Sequence, residues 1–337
     1  MTRRPRALYY MRAAGAAPPL TRDEGQRGGP MSVESLPSIP ATYKLPDGID
    51  GDAFYDLHTG PLGSYQMTIT EADVERWCDI HEDAAPWRAE PGAEPGAPPY
   101  IGYYACMNAL APIRYFGNTG RPNYGPGGLA RYWAEFHAPL PVGVSLQVTG
   151  RVTDKYTRRG LGYTDWEVDI THEGRLLQRN GRAWATSLPP EEQERWPERE
   201  GRPRPPEAPE DAETLGPLVY VTSQRHIDDL EGPGEHNNHT DVEAAREMGL
   251  RGPRAQGELS FALLARLMTE RFGAGFAHSG SLDIRLIGEV QAGDTQTGHG
   301  AVVERRDDGS EVCRVWAENQ MGQLVTVGTA THAGSPA

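Results

Sequence analysis

The chain repeats one plan, and the repeat limits what it can fold into more than any single motif does. Gly143 in "LPVGVSL" is answered by Gly293 in "VQAGDTQ", 150 residues on, and Gly174 in "THEGRLL" by Gly322 in "NQMGQLV", 148 residues on. Around each pair lie alternating, β-branched runs that read as strands: "PVGVSLQVTGRVTDKY", "LGYTDWEVDITHEGRLL" and "RNGRAWATSL" in the first half, and "GSLDIRLIGEVQAGDTQTGHGAVVERR", "EVCRVWAENQMG" and "QLVTVGTATHA" in the second. Each strand set follows one helical segment. In the first half this is "PPYIGYYACMNALAPIRYFG", ended or interrupted at Pro112. In the second it is "QGELSFALLARLMTERFG", where Leu259, Leu263, Leu264, Leu267 and Met268 fall on one face. A sheet with one apolar face must cover it, and one long helix per sheet does so. The expected class is α+β, with two tandem antiparallel sheets, each wrapped around one helix.

Composition sets the boundaries. Residues 189–217, dense in Pro, Glu and Arg without apolar period, read as a linker between a unit at 41–188 and a unit at 218–335. Residues 1–40 are expected to be a disordered extension. The basic start has no apolar segment behind it as a signal peptide would, and "MSVESLPSIP" from Met31 reads as a more natural beginning. A net charge of −14 argues against a nucleic-acid partner, and no apolar run is long enough to span a membrane. Three cysteines make no disulfide framework, which favours a reducing, cytoplasmic setting.

The stretch "EGPGEHNNHTD" (231–241) concentrates polar chemistry behind a Gly-Pro-Gly turn, just before "VEAAREMG". From its residues alone it can be a catalytic loop, a polar turn, or a metal site through the H-x-x-H-x-D spacing of His236, His239 and Asp241. The absence of cysteine from the loop weighs against metal. Asp241 stands where a carboxylate caps a helix.

With "EHNNHTDVEAAREMGLRGPRAQG", "GSLDIRLIGEVQAGDTQTGHGAV" and "ENQMGQLVTVGTA" in view, the second unit resembles a MaoC-type, R-specific enoyl thioester hydratase of the hotdog fold. The first, through "PLPVGVSLQVTGRVTDKYTRRGLGY" and "WATSLP", resembles the degenerate N-terminal hotdog of double-hotdog dehydratases. The resemblance covers roughly residues 60–335. It implies a hydratase or dehydratase that interconverts enoyl and 3-hydroxyacyl thioesters, carried on CoA or acyl carrier protein, with no metal or other cofactor and with a homodimer possible. In the family an Asp and a His five residues apart, in Gly-Asp-x-Asn-Pro-x-His, do the acid–base work. Here the His is His239. Five residues before it stands Gly234, so Glu235 takes the acid's part with a longer arm and a spacing one residue shorter. Asn237 takes the family Asn's place, and Gln256-Gly257 stands where the family carries His-Gly at the head of the central helix. The Gly257 N–H would face the thioester oxygen, and Arg158 and Arg159 could meet carrier phosphates. The first unit carries no Asp–His pair at that spacing and is expected to be structural. The alternatives are a hotdog thioesterase and a catalytically weak acyl-thioester-binding subunit.

Overall fold

The structure, a computed structural model, describes residues 59–89, 96–109, 127–201, 204–231 and 238–333. The first unit comprises β1 (Gly60–Thr68), α1 (Glu71–Ile80), β2 (Gly96–Ala97), α2 (Gly102–Ala109), β3 (Gly127–Phe136) and β4 (Leu140–Pro141). It continues through β5 (Ser145–Arg158), β6 (Leu161–His172), β7 (Arg175–Thr186) and the short α3 (Pro190–Gln193). The second comprises β8 (Thr214–Val221), α4 (Gln224–Glu231), α5 (Val242–Glu247), α6 (Gly257–Phe272) and α7 (Gly275–Ser279). Strands β9 (Gly280–Leu286), β10 (Thr295–Arg305), β11 (Glu311–Asn319) and β12 (Leu324–His332) complete it.

Ten strands form one sheet in the order β1-β5-β6-β7-β3-β9-β12-β11-β10-β8, with β2 and β4 pairing apart. Read outward from the β3–β9 seam, both halves have the same order, so the repeat in the sequence is a repeat in topology. The four glycines that disclosed it all sit at positive φ: Gly143 at 80°, Gly293 at 91°, Gly174 at 79° and Gly322 at 68°. Side chains rarely tolerate that conformation, so these turn positions keep their glycines. At the seam Arg131 pairs in register with Arg285 and Trp133 with Asp283. The Arg131 fork grips Asp283 through Nε–Oδ1 (2.6 Å) and Nη2–Oδ2 (2.5 Å).

Helix α6 differs from its expected one-sided character: every residue from Glu258 to Thr269 is buried. Its own sheet covers one side and the first unit reaches across to cover another, and a helix enclosed all round carries apolar residues all round. Tyr132 of β3 meets Phe261 of α6 edge to face, ring centroids 4.4 Å apart. The linker is also shorter than its composition indicated. Thr214 and Leu215 already pair with Ala301 and Gly300 of β10, inside the segment assigned to the linker. Proline disguised this strand, but β8 lies at the sheet edge, where Pro217 leaves no ladder partner unsatisfied. Upstream, Pro197 and Arg199 bond to both backbone groups of Thr157, tying the connection to β5. The 1–40 extension lies outside the described residues.

The loop after α1 clasps the second unit. The Arg266 guanidinium donates to the His81 carbonyl, and Tyr220 Oη to the Ile80 carbonyl (2.9 Å). The His81 ring is fully buried, and Glu258 Oε1 lies 3.8 Å from its Nε2, too far for a hydrogen bond. Burial, with Arg266 and His226 adding to it, lowers the His81 pKa to about 3. The unfolded chain protonates this residue near the ordinary value of about 6.5, so its stabilising contribution is complete above that pH and is lost as pH falls toward 3. The slope for one proton is at most about 1.4 kcal/mol per pH unit. Urea denaturation at pH 7 and pH 5 should therefore show a smaller acid loss for His81→Gln than for the parent. Equal losses would mean the ring does not carry this pH dependence.

Candidate active site

The site is built where three segments of the second unit meet the seam. Asp241 Oδ1 accepts from the N–H groups of Glu243 (2.7 Å) and Ala244 (3.0 Å), the N-cap that fixes the start of α5. This cap holds the preceding Asn238-His239-Thr240 turn. Asn238 O accepts from Arg254 N (2.9 Å), and His239 Nδ1 bonds Arg254 O at 2.5 Å. A carbonyl can only accept, so Nδ1 carries the hydrogen and, in the neutral ring, Nε2 carries the lone pair. Arg254 forms an isolated antiparallel bridge with Gln291, and Ala255 N donates to Val290 O (2.8 Å). The segment from His239 to α6 is thus held along its length by backbone bonds.

Two residues beyond Ala255, α6 begins. Gln256 occupies its N-cap but makes no side-chain cap bond; its Nε2 donates instead to Ile227 O (3.0 Å). Among the described residues the Gly257 N–H has no hydrogen-bond partner. An uncapped end of a sixteen-residue helix presents open donors and the positive end of the helix dipole. Gly257 is also needed for space: an added Cβ would lie 2.3 Å from Leu286 Cδ1 and 3.0 Å from Leu129 Cδ2. Leu129 comes from β3, so the first unit forms part of the wall. Close approach and an open N–H coexist at this one position.

His239, Gln256 and Gly257, expected at the site, are thus gathered onto one stretch of backbone. Glu235, Asn237 and His236 lie outside the described residues, and with them the metal spacing. Two contributors had no motif to announce them. Asn238 Nδ2 is buried without a hydrogen-bond partner beside His239, and Arg254 supplies the carbonyl that sets the histidine's tautomer. Arg158 ends β5, and Arg159 and Gly160, at φ 52° and 77°, form the tight turn to β6.

At the matching place in the first unit, Gly102 heads α2, but Gln178 Oε1 lies 2.1 Å from where its Cβ would be and Asn180 Nδ2 2.9 Å. Four and six residues after the second unit's hairpin glycine the corresponding positions are Thr326 and Gly328, which are smaller. An open cavity of about 450 Å³ in the first unit lies beside Cys78, Asp83 and Arg88, away from His239. Burial foremost raises the Cys78 pKa and keeps it a thiol, so that cavity holds no activated nucleophile.

No family model matches the sequence, and no curated protein matches it. Solved structures do. A MaoC-like dehydratase from Phytophthora capsici superposes with a TM-score of 0.62 at 14% identity, over 85% of this chain and 98% of that one. A Mycobacterium tuberculosis protein described as having a double hotdog fold gives 0.56 at 13%, over 83% and 97%. The fold is a double hotdog. A third double-hotdog-sized match, a candidate oleoyl thioesterase from Lactobacillus plantarum, gives 0.52 at 15%, over 81% and 96%. At such identities the likeness is one of fold, and function rests on the site.

In this double hotdog the glycine that opens α6 should resist substitution. Gly257→Ala is expected to cost about 1–3 kcal/mol, because Leu286 and Leu129 must both move to admit the methyl group. Urea denaturation measures this directly; unchanged stability would mean that the helix does not press on these leucines.

Proposed function

We propose that the second unit hydrates enoyl thioesters, or dehydrates the 3-hydroxyacyl thioesters that result, with CoA or acyl carrier protein as carrier. The observation that carries this reading is the bond from His239 Nδ1 to the Arg254 carbonyl. It leaves Nε2 as the atom that takes or gives a proton, and it does so three residues from the helix whose open Gly257 N–H can receive an oxyanion. Hydration places OH on C3 and a proton on C2, with negative charge passing onto the thioester oxygen. That chemistry needs a proton-transfer group and donors aimed at the oxygen. His239, with Glu235 as its carboxylate partner, moves the protons of one water. The Gly257 N–H and the dipole of α6 stabilise the enolate-like oxygen. Asn237 orients the loop, and Gln256, bonded to Ile227 O, sets the angle at which the helix begins.

The first unit serves as the structural half. Its Gln178 and Asn180 fill the space at Gly102, while Leu129 walls the second unit's site.

Incubation with a panel of enoyl and 3-hydroxyacyl thioesters, followed by mass spectrometry, tests the reading. Gain or loss of water is the expected result. Release of free acid would assign hydrolysis instead, and binding without turnover would make the protein an acyl-thioester-binding subunit. His239→Ala and Glu235→Gln should each lower turnover by about 10²–10⁴-fold. The double variant should lose little more, since groups sharing one transition state are non-additive. Near-normal turnover in Glu235→Gln would remove that residue from the mechanism.

A further inference from the structure

Arg254 does more than lend its carbonyl to His239. Its side chain is half-buried and turns toward the seam, where the guanidinium nitrogens Nη1 and Nη2 lie 3.7 and 3.9 Å from the position a Cβ on Gly128 would take. Among the described residues, its chain neighbours apart, the guanidinium alone lies within 4 Å of that position. The next residue, Leu129, touches Gly257. The guanidinium and the head of α6 therefore flank the same two residues of β3. The Arg254 guanidinium has no carboxylate or hydrogen-bond partner among the described residues, although the chain carries 47 acidic side chains and most of its described arginines are paired. A half-buried guanidinium with no carboxylate of its own is available to an anionic ligand. Its backbone is held at both ends, through Asn238 O and through Gln291, so the fork is presented from a fixed base.

We propose that Arg254 is a specificity-determining residue that binds a carboxylate on the acyl chain of the thioester, so that the preferred substrate is an acidic acyl thioester. A planar guanidinium suits a carboxylate because it can donate two parallel hydrogen bonds. The position favours the acyl chain over the carrier: Arg254 is three residues from Gly257, whereas the pantetheine arm separates carrier phosphates from the thioester by more than an arginine side chain spans. The inference rests on the thioester reading of the same site.

The test uses the full-length protein and matched saturated acyl thioesters of equal length, one ending in a carboxylate and one in a methyl group. These cannot be hydrated, so calorimetry reads binding alone. Each pair is made on CoA and on N-acetylcysteamine. The parent is expected to bind the carboxylate form more tightly by about tenfold or more on both carriers, in line with a charge-assisted pair. Arg254→Gln should bring the ratio to about one, and Arg254→Lys, which keeps the charge but not the fork, should restore part of it. A parent ratio near one, or a ratio unchanged in Arg254→Gln, would overturn the proposal. So would a loss confined to CoA thioesters whatever their acyl end, which would assign the guanidinium to the carrier phosphates. The two readings fail separately. Carboxylate-selective binding without turnover on enoyl substrates would sink the hydratase and leave Arg254 standing; turnover without selectivity would do the reverse.

Discussion

The antiparallel pairing of β3 with β9 is the constraint on which the rest of the molecule depends. Without it there would be two five-stranded sheets, each with an open edge and a helix covered on one side only. With it there is one sheet of ten strands, and β3 and β9, which would otherwise be edges, each have a partner on both sides. The seam is held by more than backbone bonds: the Arg131–Asp283 fork crosses it, with Arg131 stacked 4.0 Å over Trp133. Behind it Tyr132 is fully buried against Phe261.

The same pairing makes the site a property of both halves. The candidate residues belong to the second unit, but Leu129 and Gly128 of β3 lie against Gly257 and Arg254. The clasp of His81 and Arg266 holds the first unit's loop against α6 from the other side. Gln178 and Asn180, pressed against Gly102, occupy in the first unit the place that stays small-sided in the second.

The candidate site was only partly legible. His239 and Gly257 could be found because each stands in a recognisable local pattern, a polar turn before a capped helix and a glycine opening an apolar one. Asn238 and Arg254 could not. Asn238 belongs to no motif by itself, and Arg254 lies in a stretch with no period of its own; both acquire meaning from bonds to residues about fifteen positions away. The start of β8 was hidden for a related reason: proline signals a break locally, and only its place at the edge of the sheet makes Pro217 acceptable in a strand.

The sequence by itself determined the two-fold repeat, the α+β class and the long hairpin strands that follow each helix, because alternation, helical period and glycine-requiring turns are local and each residue carries its part of the signal; the seam strand β3 was not among them. Only the tertiary structure decided that β3 and β9 are the strands that join the halves, that α6 is enclosed on every side, and which nitrogen of His239 holds the proton. Those outcomes depend on contacts between segments far apart in the chain. The burial of Glu258 and His81, and the Arg254 guanidinium without a partner among the described residues, belong to the same group, since burial and pairing are properties of neighbours in space and leave no period or motif in the chain.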